Sequence, residues 1–440
     1  MAELNRSLGF WGATGIGIGA IIGTGIFVLI GVASGIAGPA VILSFVIAGF
    51  VALLTGLSTA ELSSFIHESG GSYIYTTKAF GAFPGFIVGW MKSFDYIVGA
   101  SAVSVGFAAY FAYFVGIPAS GTMLVFVAAI WPLVLMVLNL RGIREASGAN
   151  NLLVTLKILA LVIFIVVGAA ALFASGNYSN YHPFFPQGFS GVMSGAAIIF
   201  FAFIGFNTIA IMAEEVRDPE KNVPRAILFA FAVCTLIYIG VSVVAVGIVN
   251  WHALGSSSAP LEFALKTATD NIFILQFVAV SALFATTSVI MASIMGGSRA
   301  LFAMARQGVL PMKLSAISRQ GVPSYTILIC GVIISGIVVA TGGNLDWLAS
   351  LFNFGTLLTF FFINLSLLRL RQTMPGVKRG FRVPLYPYTP VFALISCVIL
   401  AFYLNTNAVM TACVFLVVGI LVYLVNRKRR KASGPPGRKS

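Results

Sequence analysis

The chain repeats one pattern from end to end: a run of about 20 apolar residues, then a short polar loop. Roughly twelve such runs can be read, near 8–34, 39–62, 82–115, 120–140, 150–174, 190–213, 224–249, 272–304, 324–341, 347–369, 385–404 and 407–426. Each has about the ~20 residues a bilayer demands. Runs this long must be helical in lipid, which offers no partner to a backbone N–H or C=O. Composition agrees: 59% of residues are hydrophobic and only 9% charged, against roughly 25% charged in a soluble domain. The expected fold is therefore all-α and integral to a membrane, with about twelve transmembrane helices.

A net charge of +14 could signal nucleic acid, anionic lipid or membrane topology. Position decides. With the N-terminus in the cytoplasm, sixteen basic residues fall on inner segments from Arg6 to Arg382 and seven on the tail from Arg427 to Lys439, 23 of the 26. The outer loops hold only Lys266; Lys92 and Lys157 lie inside spans. This is the positive-inside pattern, and it predicts an even number of spans with both termini cytoplasmic in a plasma membrane. Dispersed over many loops, the charge does not form a nucleic-acid face. The segment Arg427–Lys431 reads as a basic anchor touching lipid head groups, opening a cytoplasmic tail over 427–440. No cleavable signal peptide is evident.

Chemistry of other kinds finds little support. Cys234, Cys330, Cys397 and Cys413 all lie in spans and suit apolar packing. His67, His182 and His252 are far apart, and no metalloprotease, Walker or nucleophile–His–Asp pattern occurs. No enzyme, metal site or cofactor is expected.

Gly15 to Phe27 reads GIGIGAIIGTGIF, five glycines inside one predicted membrane helix. Each costs up to about 1 kcal/mol relative to alanine. Close helix packing of the GxxxG type accounts for this, and so does a helix broken around Ile22 to Gly25. A break would bare N–H groups suited to a carboxylate and carbonyls suited to a cation. The sixth span carries a similar irregularity, FFAFIGFN at Phe200 to Asn207. Spans 1 and 6 are five apart, the interval expected if spans 1–5 and 6–10 form inverted repeats that each open with a broken helix. The repeats would cover about 8–174 and 190–369, with two extra helices over 385–426 completing a domain of residues 1–426.

An ordered set of motifs now accumulates: GIGAIIGTGIF (17–27), AELSSFIHESGGSYIY (60–75), GW (89–90), NNLLVTLK (150–157), FFAFIGFN, EEVRDPEKNVPRAI (214–227), GGSRALFAMARQGVLP (296–311) and FRVPLYPYTP (381–390). Through most of its length the chain resembles the amino acid–polyamine–organocation transporter superfamily, and within it the cationic amino acid transporters.

That resemblance implies a substrate site at mid-membrane between helices 1 and 6. Backbone N–H groups of Gly23, Thr24 and Gly25, with the Thr24 hydroxyl, would hold the carboxylate of an amino acid. Carbonyls of Ile21, Phe201 and Ile204 would hold its ammonium. Gly205 would let the chain pass close by, and Phe201 or Phe203 would be the outer lid. Lys157, costly at ~2.5–3.5 kcal/mol in mid-span, would occupy the place where sodium-coupled relatives bind their ion. There it would contact a carbonyl near Gly19 and a hydroxyl among Thr286, Thr287 and Ser288, and couple transport to protons. Snorkelling toward the inner surface, about 10 Å away near Asn150, is the competing reading. Asp95 resembles an acidic residue the family carries in span 3, able to contact substrate or relay protons. Lys92, three residues away, shares its helical face, so that pairing and mutual neutralisation of the two is the equal competing reading; Lys92 is less typical of the family. Asn207 departs from an acidic residue common after IGF, which puts a strictly cationic substrate in doubt. Glu214, Glu215, Arg217, Asp218 and Arg225 suggest ion pairs that close a cytoplasmic gate.

The expected function is secondary active transport of amino acids by proton symport, with lipid, protons and the amino acid as partners. An exchanger or uniporter of amino acids or polyamines is the alternative, and a non-transporting nutrient receptor is a reading of another class.

Overall fold

The computed structural model describes residues 8–23, 25–66, 68, 70–118, 120–142, 147–212, 215–306, 310–318 and 321–432. Seventeen α-helices run in order: α1 (Phe10–Ile21), α2 (Ile30–Ala37), α3 (Val41–Ser63), α4 (Ser72–Phe80), α5 (Ala82–Val115), α6 (Gly121–Leu140), α7 (Ser147–Ser175), α8 (Gly188–Ile199), α9 (Asn207–Ile211), α10 (Pro219–Ile248), α11 (Trp251–Ser256), α12 (Pro260–Ala268), α13 (Ile272–Arg306), α14 (Ser324–Thr341), α15 (Leu345–Thr373), α16 (Tyr388–Phe402) and α17 (Thr406–Ala432). Among the described residues there is no strand, only an isolated bridge between Leu8 and Val216.

Among the described residues, ten stretches are long and apolar enough to cross a membrane. The first, Phe10–Ser63, is 54 residues long and contains α1, α2 and α3. The eleventh expected span is a helix of only 15 residues, Tyr388–Phe402, short of the ~20 a perpendicular crossing needs. The last helix runs on through the basic segment to Ala432, farther than the apolar run alone indicates. Three short helices, α4, α11 and α12, were not legible as apolar runs.

The outside of the bundle is oily. Leu236 is 71% exposed, Phe273 79% and Phe402 83%, as suits a surface solvated by lipid chains. The inside is where polar groups collect, and several are tied to a partner on another helix. Asn364 on α15 donates to Thr55 Oγ1 (2.9 Å) and accepts from Ser58 (2.6 Å), both on α3. Ser44 donates to Val192 O on α8 at 2.8 Å. The GW pair has a similar duty. Trp90 donates its indole N–H to Phe415 O at 3.0 Å and stacks on the Phe415 ring, so that α17 docks against α5.

The strongest polar fastening is at the end of the bundle rich in Arg. Glu61, fully buried near the end of α3, accepts from Arg371 Nε (2.7 Å) and Nη2 (2.5 Å) and from the Val383 N–H (2.6 Å), with Arg379 Nε 3.3 Å away. Arg371 also covers the Tyr386 ring at 4.0 Å. Two of the sequence motifs, the one beginning at Ala60 and FRVPLYPYTP, thus meet in one ion-pair cluster.

Candidate substrate and coupling site

Two irregular stretches cross at the centre of the bundle. Helix α1 ends at Ile21, with Ile22 and Gly23 in a bend, and a π-helical turn runs from Gly25 to Leu29. Opposite it, α8 gives way at Phe200 to a 3-10 segment that lasts to Phe206 before α9 resumes. Glycine makes the crossing physically feasible. A Cβ on Gly205 would collide with the backbone of Ala20 and Ile21, and one on Gly25 with Ala202. Side chains would have to move the main chain itself.

Polar side chains from other helices hold both stretches. The Tyr238 hydroxyl, fully buried on α10, lies 2.8 Å from Ile21 O and 3.2 Å from Ala202 O. Asn353 on α15 donates to Ala197 O (2.7 Å) and Ile198 O (3.0 Å). These carbonyls sit where the change from α to 3-10 geometry upsets the i→i−4 ladder. Neither Tyr238 nor Asn353 was singled out from the sequence. Their only signal was a polar group within an apolar run.

Lys157 is 3% exposed. Its ammonium donates to Ser288 Oγ on α13 (3.1 Å) and to Gly19 O on α1 (3.4 Å). Of the three hydroxyls considered, Ser288 is the partner; Thr286 bonds within its own helix, and Thr287 accepts from Trp131. A side chain snorkelling to the surface would be exposed, and this one is enclosed among α1, α7 and α13.

The remaining sequence candidates divide. Ile21 is buried against Tyr238, and Gly23 lies in the bend with its Cα side toward Val289. Thr24 lies outside the described residues. Phe201 is half-buried, its ring 4.3 Å from Phe352, and Ile204 is half-buried beside it. Phe203 is fully buried, with its ring 5.2 Å from Tyr238 and 6.4 Å from Phe231. It faces α10 and packs against the core. The 3-10 turn sends residues 201 and 203 to different sides.

Asp95 is fully buried on α5. Its Oδ2 accepts from Thr356 Oγ1 at 3.1 Å and lies 3.8 Å from Lys92 Nζ; its Oδ1 has no hydrogen-bond partner. Lys92 lines a chamber of about 460 Å³ bounded also by Thr59, Tyr75, Tyr96, Asn207 and Arg299. This chamber lies at the Arg-rich end of the bundle, where α13 is finishing. Of the residues expected to form ion pairs there, Glu214 lies outside the described residues, while Glu215 and Arg217 exchange backbone bonds with Leu8. The buried ion pairs described at this end centre on Glu61.

At the opposite end a cavity of about 440 Å³ is lined by Ile36, Ser194, Ile198, Asp346, Tyr403 and Asn405, and it does not include the π-helical turn. Residues Ile26 to Ile30 are at most 1% exposed, and Tyr110 on α5 donates to Phe27 O at 2.6 Å. Over them lies α12, whose Glu262 is 1% exposed with Oε2 unpartnered. Burial pushes the Glu262 carboxyl up to about 8, with Lys266 one turn away opposing the shift.

Comparison with known proteins now adds to this geometry. A family model described as "Amino acid permease" matches residues 12–432. The chain is 35% identical to the branched-chain amino acid permease BcaP of Bacillus subtilis, over 98% of this chain and 95% of that protein. It is also 35% identical to the methylthioribose transporter of the same organism, over 97% and 94%. It is 32% identical to cationic amino acid transporter 3, mitochondrial, of Arabidopsis thaliana, over 85% and 63%. A family match spanning nearly the whole chain joins the all-helical, apolar-surfaced fold and the irregular crossing at its centre: the chain belongs to the amino acid permease family, within the amino acid–polyamine–organocation superfamily of membrane transporters.

Proposed function

We propose that this chain is a secondary active transporter of α-amino acids, driven by proton symport and working by alternating access across a plasma membrane. The observation that carries the coupling is Lys157, enclosed between Gly19 O beside the bend in α1 and Ser288 on α13. A charged group so buried is costly unless partnered. Gain and loss of its proton changes how strongly it ties α1 to α13, and α1 is the helix that would carry the substrate.

In this reading the carboxylate of the amino acid binds the N–H groups of Gly23, Thr24 and Gly25, and its ammonium the carbonyls of Ile21, Phe201 and Ile204. The Tyr238 bond to Ile21 O is compatible, since a carbonyl oxygen accepts twice. Gly205 permits the close crossing, Phe201 against Phe352 is the lid, and Asn207 and Asp95 stand on the side of the chamber. Twelve crossings arranged as two inverted repeats of five plus two, with the Arg-rich end in the cytoplasm, complete the topology. The chamber is then the inner vestibule, and the end covered by α12 faces outward. The branched-chain amino acid permease of Bacillus subtilis among its relatives makes leucine the first substrate to test.

Lys157→Ala is expected to abolish leucine accumulation driven by a pH gradient in proteoliposomes. Full accumulation by the variant would overturn the coupling assignment. Leucine counterflow that persists in the wild type with no accumulation under any proton gradient would make the protein an exchanger instead.

A further inference from the structure

One face of α5 runs from the chamber to the crossing of the two irregular stretches. Lys92 and Tyr96 line the chamber. Asp95 lies beside them, and one turn on, about 6 Å along the axis, Gly99 packs against the Phe352 ring that meets Phe201. A carboxylate is thus buried at the edge of the proposed substrate site with one oxygen unpartnered. The only described cation near it is Lys92, which reaches in from the same helix, with its Nζ 3.8 Å from Oδ2 and its side chain still 21% exposed. At 3.8 Å the two are paired by charge without a hydrogen bond between them. The Lys92 ammonium also lies 5.3 Å from the Tyr96 ring centre.

From this arrangement, and resting on the amino acid transport proposed above, we infer that Lys92 is a tethered cation filling the acidic subsite at Asp95, and that it restricts the substrate to amino acids whose side chains carry no positive charge. The physics is direct. A buried carboxylate attracts a cation strongly because little water screens it. Without Lys92, that attraction would be open to the ammonium or guanidinium of a substrate side chain. With Lys92 in place, such a side chain must displace a covalently tethered competitor and approach a like charge. Arg299, exposed on α13 and lining the same chamber, adds a second positive charge, and no described carboxylate lines the chamber to offset it. An uncharged side chain meets neither obstacle. Asn207, an amide on the chamber wall, adds no negative charge of its own.

The test is counterflow with purified full-length protein in liposomes preloaded with leucine. In the wild type, labelled leucine enters and excess external lysine leaves that uptake undiminished. Lys92→Met uncovers Asp95 and raises labelled-lysine counterflow at least about tenfold, the factor that ~1.4 kcal/mol of charge pairing supplies. The double variant K92M/D95N loses that gain, which a general loosening of the chamber would not. Lysine competing as well as leucine in the wild type overturns the inference, and this arm requires no variant to fold. So does K92M that carries leucine but gains no lysine flux, and so does a gain that survives D95N. If the wild type carries leucine and lysine equally, amino acid transport stands and the tether alone fails. If it carries no amino acid, both fall.

Discussion

Two glutamates, one at each end of the bundle, are almost equally buried, yet their surroundings differ in kind. Glu61 is 0% exposed and is met by two guanidinium groups and a backbone N–H. Glu262 is 1% exposed, has an unpartnered oxygen, and has the phenols of Tyr110 and Tyr113 and the ammonium of Lys266 as its titratable neighbours. Burial raises the cost of a charge in both places, and partners decide whether that cost is met. Glu61 therefore works as a fixed ionic fastening among α3, α15 and the loop that follows. Glu262 is a carboxyl whose enclosure favours its neutral form, at the end of the bundle opposite the Arg-rich one.

The comparison can be broken experimentally. Glu61→Gln removes the charge while leaving Arg371 and Arg379 in place. It should destabilise the protein by about 3–5 kcal/mol, the cost of a buried pair with one partner removed. A large fall in the thermal midpoint of purified protein would register it, and an unchanged midpoint would reduce the cluster to surface decoration.

Glu262 should behave in the opposite sense. Its carboxyl titrates near 8 when enclosed and near the ordinary 4.5 when exposed. The enclosed form thus holds a proton that the exposed form has lost. Its contribution is complete below about 4.5 and declines as pH rises toward 8. Glu262→Gln imitates the neutral carboxyl. It should flatten this part of the stability–pH curve and raise the stability on the alkaline side by about 1–3 kcal/mol. Parallel curves for variant and wild type would show that the carboxyl is not enclosed in solution. Smallest of the three, Tyr110→Phe deletes the hydroxyl that bonds Phe27 O. A loss of about 0.5–1.5 kcal/mol is expected, seen as faster hydrogen exchange at residues 25–30 with the Arg-rich end unaffected.

How much of this was legible beforehand depended on the range of the signal. The limits of α5 and α14 were readable to within a residue from apolar runs bounded by Gly, Pro and polar residues. Lys157 was conspicuous because a lysine in an apolar run is expensive wherever the run packs. Glu61, Tyr238 and Asn353 were not conspicuous, because a single polar residue is equally compatible with lipid-edge, core and site positions. What distinguishes them is a partner 310, 217 or 156 residues away in sequence. The same applies to Phe201 and Phe203, which read alike in FFAFIGFN and separate only when the 3-10 turn orients them.

By itself, then, the sequence determined an apolar, all-helical chain with its basic residues gathered in certain loops, because the bilayer acts on every segment independently. It also determined where the helix is weakened, since glycine and polar residues act locally. Only the tertiary structure decided which carbonyls are met by Lys157, Tyr238 and Asn353, and which buried carboxylate has partners. It also placed the Lys92–Asp95 pair, itself local to one helix, at the edge of the crossing. Those outcomes depend on how helices remote in sequence pack, and a charge in a medium that screens little is governed by whatever that packing brings within a few ångströms.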